Sequence, residues 1–422
     1  MTRPWVFRGW RLGIVIGLAV VGLLLLFAQD QETLTVQSPV AATDPRFAEY
    51  VASLVGAPVE SGDRYEVLRN GDEVFPPMLE AIRQAEQRIS FESFIYEDGV
   101  VGDEFTREFI NAAQRGVDVR IVLDGFGASI SDESEKKLTD AGVQVVWFNL
   151  LRPWTLEEAN YRTHRKVLVV DGQVGFTGGI GLADQWLGNA QSPEHWRDTQ
   201  FKVQGPAVRG LEASFYENWI ESGGLSAPAL DPPQPPQPDG ARSVVVWSNP
   251  TGGASSVKLL YLLSIAGARQ QLDIQSPYFI LDASSRWSLH AAAERGVRIR
   301  ILTDGEVTDA MSVKSASRHG YQALLDAGIE VYEYEPTMMH VKAMMVDGVW
   351  SVIGSANFDN RSFELNDELT VAVQDQGLAQ ALTRDFEADL QHSTKLDAAQ
   401  WRERPLWQKV RQWFWSHFGE LF

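Results

Sequence analysis

Two stretches of this sequence repeat one spacing of histidine, lysine and aspartate, H-x-K-x-x-x-x-D. The first reads YRTHRKVLVVDGQVGFTGGIG and the second reads MMHVKAMMVDGVWSVIGSANFDNRSFELNDE. The motif residues are His164, Lys166 and Asp171 in the first copy, and His340, Lys342 and Asp347 in the second. In both copies a glycine follows the aspartate and a turn of small residues comes later. One such pattern arises by chance in a long chain, but two copies with matching flanks indicate a duplicated structural unit.

The repetition extends upstream of both motifs. Residues 112–125 (AAQRGVDVRIVLDG) align without gaps with residues 292–305 (AAERGVRIRILTDG), and 140–145 (DAGVQV) align with 326–331 (DAGIEV). Two copies of one unit in a single chain can pack about a pseudo-twofold axis, as identical subunits do in a dimer. We therefore expect the two motifs to face each other.

Helical and strand-like segments alternate along the first half. Helices are predicted near 80–87, 103–114, 133–141 and 207–220, and strands at 89–94, 117–125, 143–148 and 166–170. A helix, a glycine and then a run of β-branched residues are typical of α/β units with a buried parallel sheet. The predicted fold is therefore α/β, with two tandem domains that each contain a mixed, largely parallel sheet flanked by helices.

A proline-rich segment separates the two halves. Residues 222–240, SGGLSAPALDPPQPPQPDG, contain six prolines among small and polar residues. Such a composition is stiff and extended and does not form a core. We therefore place the first domain at 47–221, a linker at 222–240 and the second domain at 241–392.

The N-terminal region contains an apolar run. Residues 12–28, LGIVIGLAVVGLLLLFA, are uncharged and reach the short end of the length that spans a bilayer as a helix. Three arginines precede the run and two carboxylates follow it: Arg3, Arg8, Arg11, Asp30 and Glu32. The positive-inside rule then keeps 1–11 in the cytoplasm and makes 29–46 a tether to a body on the outer, periplasmic side of the inner membrane. A cleaved signal peptide is the alternative, and it also exports the body.

The charge balance and the absence of cysteine exclude several kinds of function. Lys and Arg number 37 against 56 Asp and Glu, a formal net charge of −19. A field of that sign repels polyanions, which disfavours nucleic acid as the substrate. The chain has no cysteine, so disulfides and thiol catalysis are excluded.

The paired motifs resemble those of the phospholipase D superfamily. The flanking sequences GSANFDNRSFELNDE, HWRDTQFKVQGPAV and SPYF are most similar to its bacterial cardiolipin synthase branch. The resemblance runs from about Tyr65 to the C-terminus. It implies a phospholipid substrate, with phosphatidylglycerol favoured, and phosphatidyl transfer through a phosphohistidine intermediate, without a metal or other cofactor.

The chemistry of the motif residues fits a phosphodiester substrate. On a strand, His and Lys two positions apart project to the same face, so each copy presents an imidazole beside an ammonium. The ammonium suits the phosphoryl oxygens, while one imidazole attacks phosphorus and a second gives a proton to the leaving alkoxide. By analogy with the superfamily's phospholipases, we assign His164 as nucleophile and His340 as general acid and base.

The aspartates of the motifs are predicted to have a different role. Asp171 and Asp347 lie an odd number of positions from their histidines, so on a regular strand they point to the opposite face. We therefore interpret these two members of the catalytic motif as structural. The family pattern then offers other carboxylates to orient the imidazoles: Glu368 for His340, and Asp198 for His164.

The small-residue turns are expected to contact the phosphate. The candidates are Ser355 and Asn357 in the second copy, and Gly178 and Gly179 in the first. The first copy departs from the pattern, because Gly181 stands where the second has Asn357. This departure puts symmetric phosphate binding in doubt.

The C-terminal residues 393–422 are rich in tryptophan and cations. Apolar positions from Leu406 to Phe414 cluster on one side of a predicted helix, with Lys and Arg elsewhere. The pattern fits either a helix in the membrane interface or a helix docked on the body. Four methionines around His340 leave a similar choice, between a wall for a lipid and ordinary core packing.

Three other functions stay open at this stage. Water in place of a lipid acceptor makes the enzyme a hydrolytic phospholipase D. A metal-independent nuclease and a catalytically silent membrane scaffold are the others. The oligomeric state is not indicated by the sequence.

Overall fold

The structure is a computed structural model that describes residues 33–150, 160–249 and 256–418. The chain divides into a unit of Met1–Thr35 and a compact unit of Val36–Phe422. The predicted membrane segment at 12–28 lies outside the described residues. Within the described ranges, no helix has both the length and the apolar character needed to cross a bilayer.

Helices and strands alternate along the compact unit. The described helices are α1 (Phe47–Val55), α2 (Asn70–Gln84), α3 (Val100–Gln114), α4 (Asp132–Asp140), α5 (Val208–Glu221), α6 (Ser256–Gly267), α7 (Ala283–Glu294), α8 (Met311–Asp326), α9 (Asn360–Glu364), α10 (Gln376–Leu390), α11 (Ala398–Glu403) and α12 (Leu406–Ser416). The described strands are β1 (Glu60–Arg69), β2 (Arg88–Ser93), β3 (Asp118–Asp124), β4 (Gln144–Phe148), β5 (Arg162–Thr163), β6 (Val167–Val170), β7 (Val174–Gly178), β8 (Thr199–Gln204), β9 (Ala241–Trp247), β10 (Gln271–Gln275), β11 (Arg298–Asp304), β12 (Glu330–Tyr334), β13 (Ala343–Val346), β14 (Trp350–Gly354), β15 (Asn366–Asp367), β16 (Leu369–Gln374) and β17 (Ser393–Lys395).

One mixed sheet of 15 strands runs through both halves of the chain, in the order β17-β12-β11-β10-β13-β14-β16-β9-β1-β8-β7-β6-β2-β3-β4. The order of one half mirrors that of the other about the β1–β9 pair, in which Glu60 lies opposite Ser243. Such an order is expected for two copies related by a pseudo-twofold axis. The linker at 222–240 therefore connects two halves of one sheet.

The prediction of a largely parallel sheet is wrong. Parallel pairing is confined to β2–β3–β4 and to β10–β11–β12, apart from the short β5–β15 pair outside the main sheet. Around the motifs, β6, β7 and β8 form antiparallel pairs, as do β13, β14 and β16. Tight turns join the motif hairpins, whereas parallel neighbours need a longer crossover, usually a helix.

A shared core joins the two halves. One face of the sheet packs on a cluster to which both halves contribute, including Phe201 and Phe215 from the first and Leu302 and Phe386 from the second. The other face carries a separate core for each half. The four methionines at 338, 339, 344 and 345 are all buried, and the last three belong to these cores, which supports ordinary packing.

Helix α1 lies in the predicted first domain, but it packs on the second half. The rings of Phe47 and Trp350 pack in a T-shaped arrangement at 4.8 Å between centroids, and both residues belong to the core of the second half. The N–H of Ala42 donates to the carbonyl of Gly267 at 3.0 Å. By its packing, α1 therefore belongs to the second half, and the first half begins after it.

Asp171 and Asp347 each hold a turn to the start of a neighbouring strand. Both residues have positive φ, as do the glycines that follow them, which is the backbone of a tight Asp-Gly turn. The Asp171 carboxylate accepts from the backbone N–H groups of residues 86, 87 and 88, at 2.8–2.9 Å. Asp347 accepts from residues 269, 270 and 271 at the same distances. Three backbone donors for one carboxylate give both residues a structural task away from the imidazoles.

Candidate active site

The backbone brings each motif histidine against the other half of the chain. The N–H of His164 donates to the carbonyl of Asp367 at 2.9 Å, and the N–H of His340 donates to the carbonyl of Arg197 at 2.7 Å. The histidines and lysines lie just before β6 and β13 rather than on these strands, which corrects the sequence expectation. Their placement therefore depends on contacts between the halves as well as on strand geometry.

Each imidazole is held by a carboxylate from the opposite half. His164 Nδ1 lies 2.9 and 3.1 Å from the two oxygens of Glu368. His340 Nδ1 lies 2.8 Å from Asp198 Oδ2. The expected assignment, Glu368 with His340 and Asp198 with His164, is therefore wrong. Asp367 and Arg197, which accept the backbone hydrogen bonds from the histidines, directly precede Glu368 and Asp198. Each histidine is therefore bonded to the other half through both its backbone and its side chain.

The crossed pairs fix the orientation of both rings. An ionised carboxylate only accepts hydrogen bonds, so a neutral imidazole must donate from Nδ1 and keep the Nε2 lone pair free. Both histidines are buried, with exposed fractions of 7% for His164 and 5% for His340. The arrangement therefore supplies two nitrogen bases with fixed directions.

The two lysines place cations beside the imidazoles. Lys166 Nζ donates to the carbonyl of His164 at 2.8 Å, and Lys342 Nζ donates to the carbonyl of His340 at 2.7 Å. Lys166 also lies over the Phe94 ring, 5.6 Å from its centroid. Both ammonium groups are buried, so an anion at this site faces little competition from water.

Burial and mutual charge shift the pKa values of the site. Burial lowers the pKa of His164 and of His340 to about 4, against the opposing effect of their carboxylates. Burial opposes ionisation of Glu368, but the charge and hydrogen bond of His164 outweigh it and lower the pKa of Glu368 to about 2. Burial also lowers the pKa of Lys166 to about 7 and that of Lys342 to about 8. Neutral imidazoles beside an ionised Glu368 follow for the free enzyme at neutral pH.

The glycine and serine of the small-residue turns support the carboxylates. A Cβ atom at Gly179 would collide with the Asp198 carboxylate, so only glycine lets Asp198 reach His340. Ser355, which occupies the matching place in the second half, donates its hydroxyl to Glu368. The expected phosphate contact through Ser355 is therefore replaced by a bond that fixes Glu368. Gly178 lies against Thr199 and Gln200, outside the cavity lining.

A cavity of about 460 Å³ opens beside His164. It is lined by apolar side chains and by polar groups that suit a phosphodiester: Phe94, Phe126, Val313, Asn357, Arg162 and Arg361 among them. The side-chain oxygen of Asn357 is buried and has no hydrogen-bond partner. Asn357 is thus the turn residue that the structure places in the cavity. Across the described ranges, no three His, Asp or Glu side chains are grouped to hold a metal ion.

Aromatic residues that the sequence analysis missed surround the imidazoles. Trp186 Nε1–H donates to Asp198 Oδ2 at 3.0 Å, and the Trp186 ring lies 5.7 Å from the His340 ring. Phe94 meets the edge of His164 at 5.3 Å. Trp186 lies in a short 3₁₀ turn, and Ser362 in α9 occupies the matching position of the second half, so the internal repeat gave no signal for the indole.

Trp186 also explains the departure at Gly181. A Cβ atom there would lie 2.9 Å from Ile95 Cβ and 3.2 Å from the Trp186 ring. Gly181 is the position of the first half that matches Asn357 in the second half. In the first half, the Trp186 indole fills the space beside this position. The two halves of the candidate site therefore differ at this position.

Placing asparagine at position 181 is expected to destabilise the protein. Gly181→Asn should lower the free energy of unfolding by about 1–3 kcal/mol through overpacking, and should not raise activity. Thermal denaturation and a product assay measure both effects. Gly320→Asn in α8 is the matched control, because an added Cβ there meets nothing within 4 Å. A Gly181→Asn variant that is as stable as the control and more active would contradict this account of Trp186.

Comparison with known proteins agrees with this geometry. The family described as "Cardiolipin synthase, PLD-like domain" matches residues 78–206 and 261–390, one region in each half. Cardiolipin synthase 1 of Bacillus anthracis is 33% identical over 393 residues, covering 90% of this chain and 77% of that protein. Cardiolipin synthase of Geobacillus kaustophilus is 32% identical over 395 residues, covering 92% of this chain and 78% of that protein.

The fold is also found in a solved structure. Phosphatidylserine synthase of Haemophilus influenzae superposes with a TM-score of 0.65 at 16% identity, covering 88% of this chain and 97% of that one. The family match in both halves and the identity over most of the chain together decide the assignment. This chain belongs to the phospholipase D superfamily of enzymes and, within it, to the cardiolipin synthase family.

Proposed function

We propose that this enzyme transfers a phosphatidyl group from one phosphatidylglycerol molecule to another, giving cardiolipin and glycerol. The observation that carries the proposal is the pair of buried imidazoles, each bonded at Nδ1 to a carboxylate of the opposite half. The relatives named cardiolipin synthase support cardiolipin as the product. A location at the cell membrane, with the N-terminus in the cytoplasm, stays a prediction from residues 1–32.

In the first step His164 Nε2 attacks phosphorus. A P–N bond forms, the bond from phosphorus to the head-group glycerol oxygen breaks, and His340 supplies a proton to that oxygen. Lys166 and Lys342 offset the negative charge of the phosphoryl oxygens. The charge of the bound phosphodiester raises the imidazole pKa values above those of the free enzyme, which lets His340 hold the proton it donates.

In the second step His340 acts as a base. It takes the proton from a hydroxyl of the second phosphatidylglycerol as that oxygen attacks phosphorus, the P–N bond breaks, and His164 returns to its neutral form. The cavity beside His164 gives the acceptor a place next to the reacting phosphorus. Phe94, Phe126 and Val313 in its lining offer apolar contacts to the carbon atoms of a lipid acceptor, which supports transfer to a lipid hydroxyl.

Binding of the substrate head group should weaken at alkaline pH. The lowered pKa values of Lys166 and Lys342, about 7 and about 8, mean that both cations are present below these values and are lost as pH rises through them. Inhibition by glycerophosphoglycerol, whose diester charge is constant over this range, should therefore decline above pH 7, by roughly tenfold per pH unit for one lost proton. Lys166→Arg should move the onset of the decline upward, because arginine stays charged and the remaining lysine, Lys342, has the higher pKa. Affinity unchanged up to pH 10 would contradict the assigned role of the lysines.

Mass spectrometry of lipid products tests the proposed reaction directly. Detergent-solubilised enzyme incubated with phosphatidylglycerol alone should yield cardiolipin, and the His340→Ala variant should yield none. Phosphatidic acid in place of cardiolipin would identify a hydrolase. No product from the wild-type enzyme would point to another phosphodiester, which a nuclease assay without added metal checks, or to a silent scaffold.

A further inference from the structure

The C-terminal helix α12 is docked on the body by its polar side. Gln412 is 2% exposed and accepts from Arg404 Nε at 2.9 Å. The helix packs on α8. Burial lowers the pKa of His319 in α8, and the charges of His417 and Arg404 in the tail lower it further. The docked alternative for the tail is therefore confirmed, although the apolar side of the helix is not the side that docks.

The apolar side of α12 faces outward. Five large hydrophobic side chains on it are between 44% and 75% exposed: Leu406, Trp407, Val410, Trp413 and Phe414. At 3.6 residues per turn these five fall within about 120° of arc. A contiguous exposed apolar face of this kind marks an interaction surface.

Cations flank this face on both sides. Lys409 follows Trp413 around the helix, and Arg411 follows Trp407, over whose ring its guanidinium lies at 5.6 Å. From Arg404 to Phe418 the sequence has three Lys and Arg residues and no carboxylate, although the whole chain carries −19. Flanking cations, an apolar centre and tryptophans match the depth profile of an anionic lipid interface.

We propose that the exposed face of α12 inserts into the headgroup region of an anionic bilayer. A second copy of the chain is a poorer occupant, because a twofold pairing of α12 has no carboxylate to neutralise Lys409 and Arg411. Helix α8, on which α12 rests, also borders the reaction cavity through Val313. The surface thus lies on an element that reaches the site, and its existence does not depend on the proposed reaction.

The absence of cysteine allows a direct test in the full-length chain. Val410→Cys gives a single attachment point for the fluorophore NBD, and Lys136→Cys on the exposed helix α4 gives the matched control. Each labelled protein is reconstituted in vesicles of phosphatidylcholine with phosphatidylglycerol that contain acyl-chain spin labels. We expect quenching at position 410 and none at 136. Adding Lys409→Gln and Arg411→Gln should reduce the quenched fraction by about tenfold or more.

Each other outcome has a defined meaning. A probe at 410 that stays in water, or that is shielded without spin-label quenching because two copies pair, overturns the inference. Quenching at both positions overturns it too, because the contact is then not specific to α12. Cardiolipin synthesis measured on the same vesicles separates the two proposals. Quenching without product supports the insertion of α12 and contradicts the proposed reaction. Product without quenching supports the reaction and contradicts the insertion of α12.

Discussion

The His340→Asn variant should form a covalent phosphatidyl adduct on His164 and then stall. With a p-nitrophenyl phosphatidyl ester as donor, the leaving group needs no proton, so the first step does not require His340. The second step still needs a base to activate the acceptor hydroxyl. We therefore expect a burst of p-nitrophenolate equal to the enzyme concentration, followed by little turnover.

The His164→Asn variant should show no burst with the same donor. With phosphatidylglycerol itself, both variants should lose on the order of 10⁴-fold or more in kcat/KM, because the two histidines act as a unit. Peptide mass spectrometry at neutral or alkaline pH, where the P–N bond survives, should find the adduct on the peptide that contains residue 164. A burst with His164→Asn and none with His340→Asn would reverse the assignment, and a burst with neither would exclude the covalent route.

The duplicated spacing predicts both His–Lys pairs, and the structure brings them into one site. Each histidine is bonded to a carboxylate of the opposite half, and the charge of Lys342 acts on His164 as that of Lys166 acts on His340. Seven of the eight helices and strands predicted in the first half correspond within a few residues to α3, α4, α5, β2, β3, β4 and β6, whereas the helix predicted at 80–87 is the last part of α2, which begins at Asn70. Strong apolar periodicity and glycine boundaries carry that information locally.

The sequence could not predict which carboxylate orients which imidazole. Glu368 is closer in sequence to His340, and Asp198 is closer to His164, so proximity along the chain favours the wrong pairing. The correct pairing depends on the backbone bonds between His164 and Asp367 and between His340 and Arg197, which exist only after the halves pack. The same limit applies to α1. It precedes the first half in the chain, but its Phe47 packs against Trp350 of the second half, a contact that no local sequence pattern indicates.

Trp186 shows a second limit of the repeat. An aromatic side chain present in one copy only is not signalled by the repeat, yet this indole bonds to Asp198 and occupies the space beside Gly181. Gly181, which weakens the match between the two motif copies, is explained by the Trp186 side chain that lies beside it. Unmatched aromatic residues near a motif are therefore worth testing in other duplicated sites.

The crossed pairing predicts that each acid shares the phenotype of the histidine in the other half. Glu368→Gln replaces the acceptor at His164 Nδ1 with an amide that can donate, which favours the tautomer with a proton on Nε2 and removes the nucleophilic lone pair. We expect a loss of about 10³–10⁴-fold in rate and no burst with the p-nitrophenyl donor, as for His164→Asn. Asp198→Asn should instead keep the burst and stall at the acceptor step, as for His340→Asn.

Asp347→Asn is the matched control for these two variants. It also converts a hydrogen-bonded carboxylate to an amide, but its oxygens bond to backbone N–H groups at residues 269, 270 and 271, away from the imidazoles. It should lower the free energy of unfolding by about 1–3 kcal/mol and leave the burst intact in the folded protein. If Glu368→Gln retained the burst while Asp198→Asn lost it, each carboxylate would serve the histidine nearer in sequence, and the crossed geometry would not be the one that operates during the reaction.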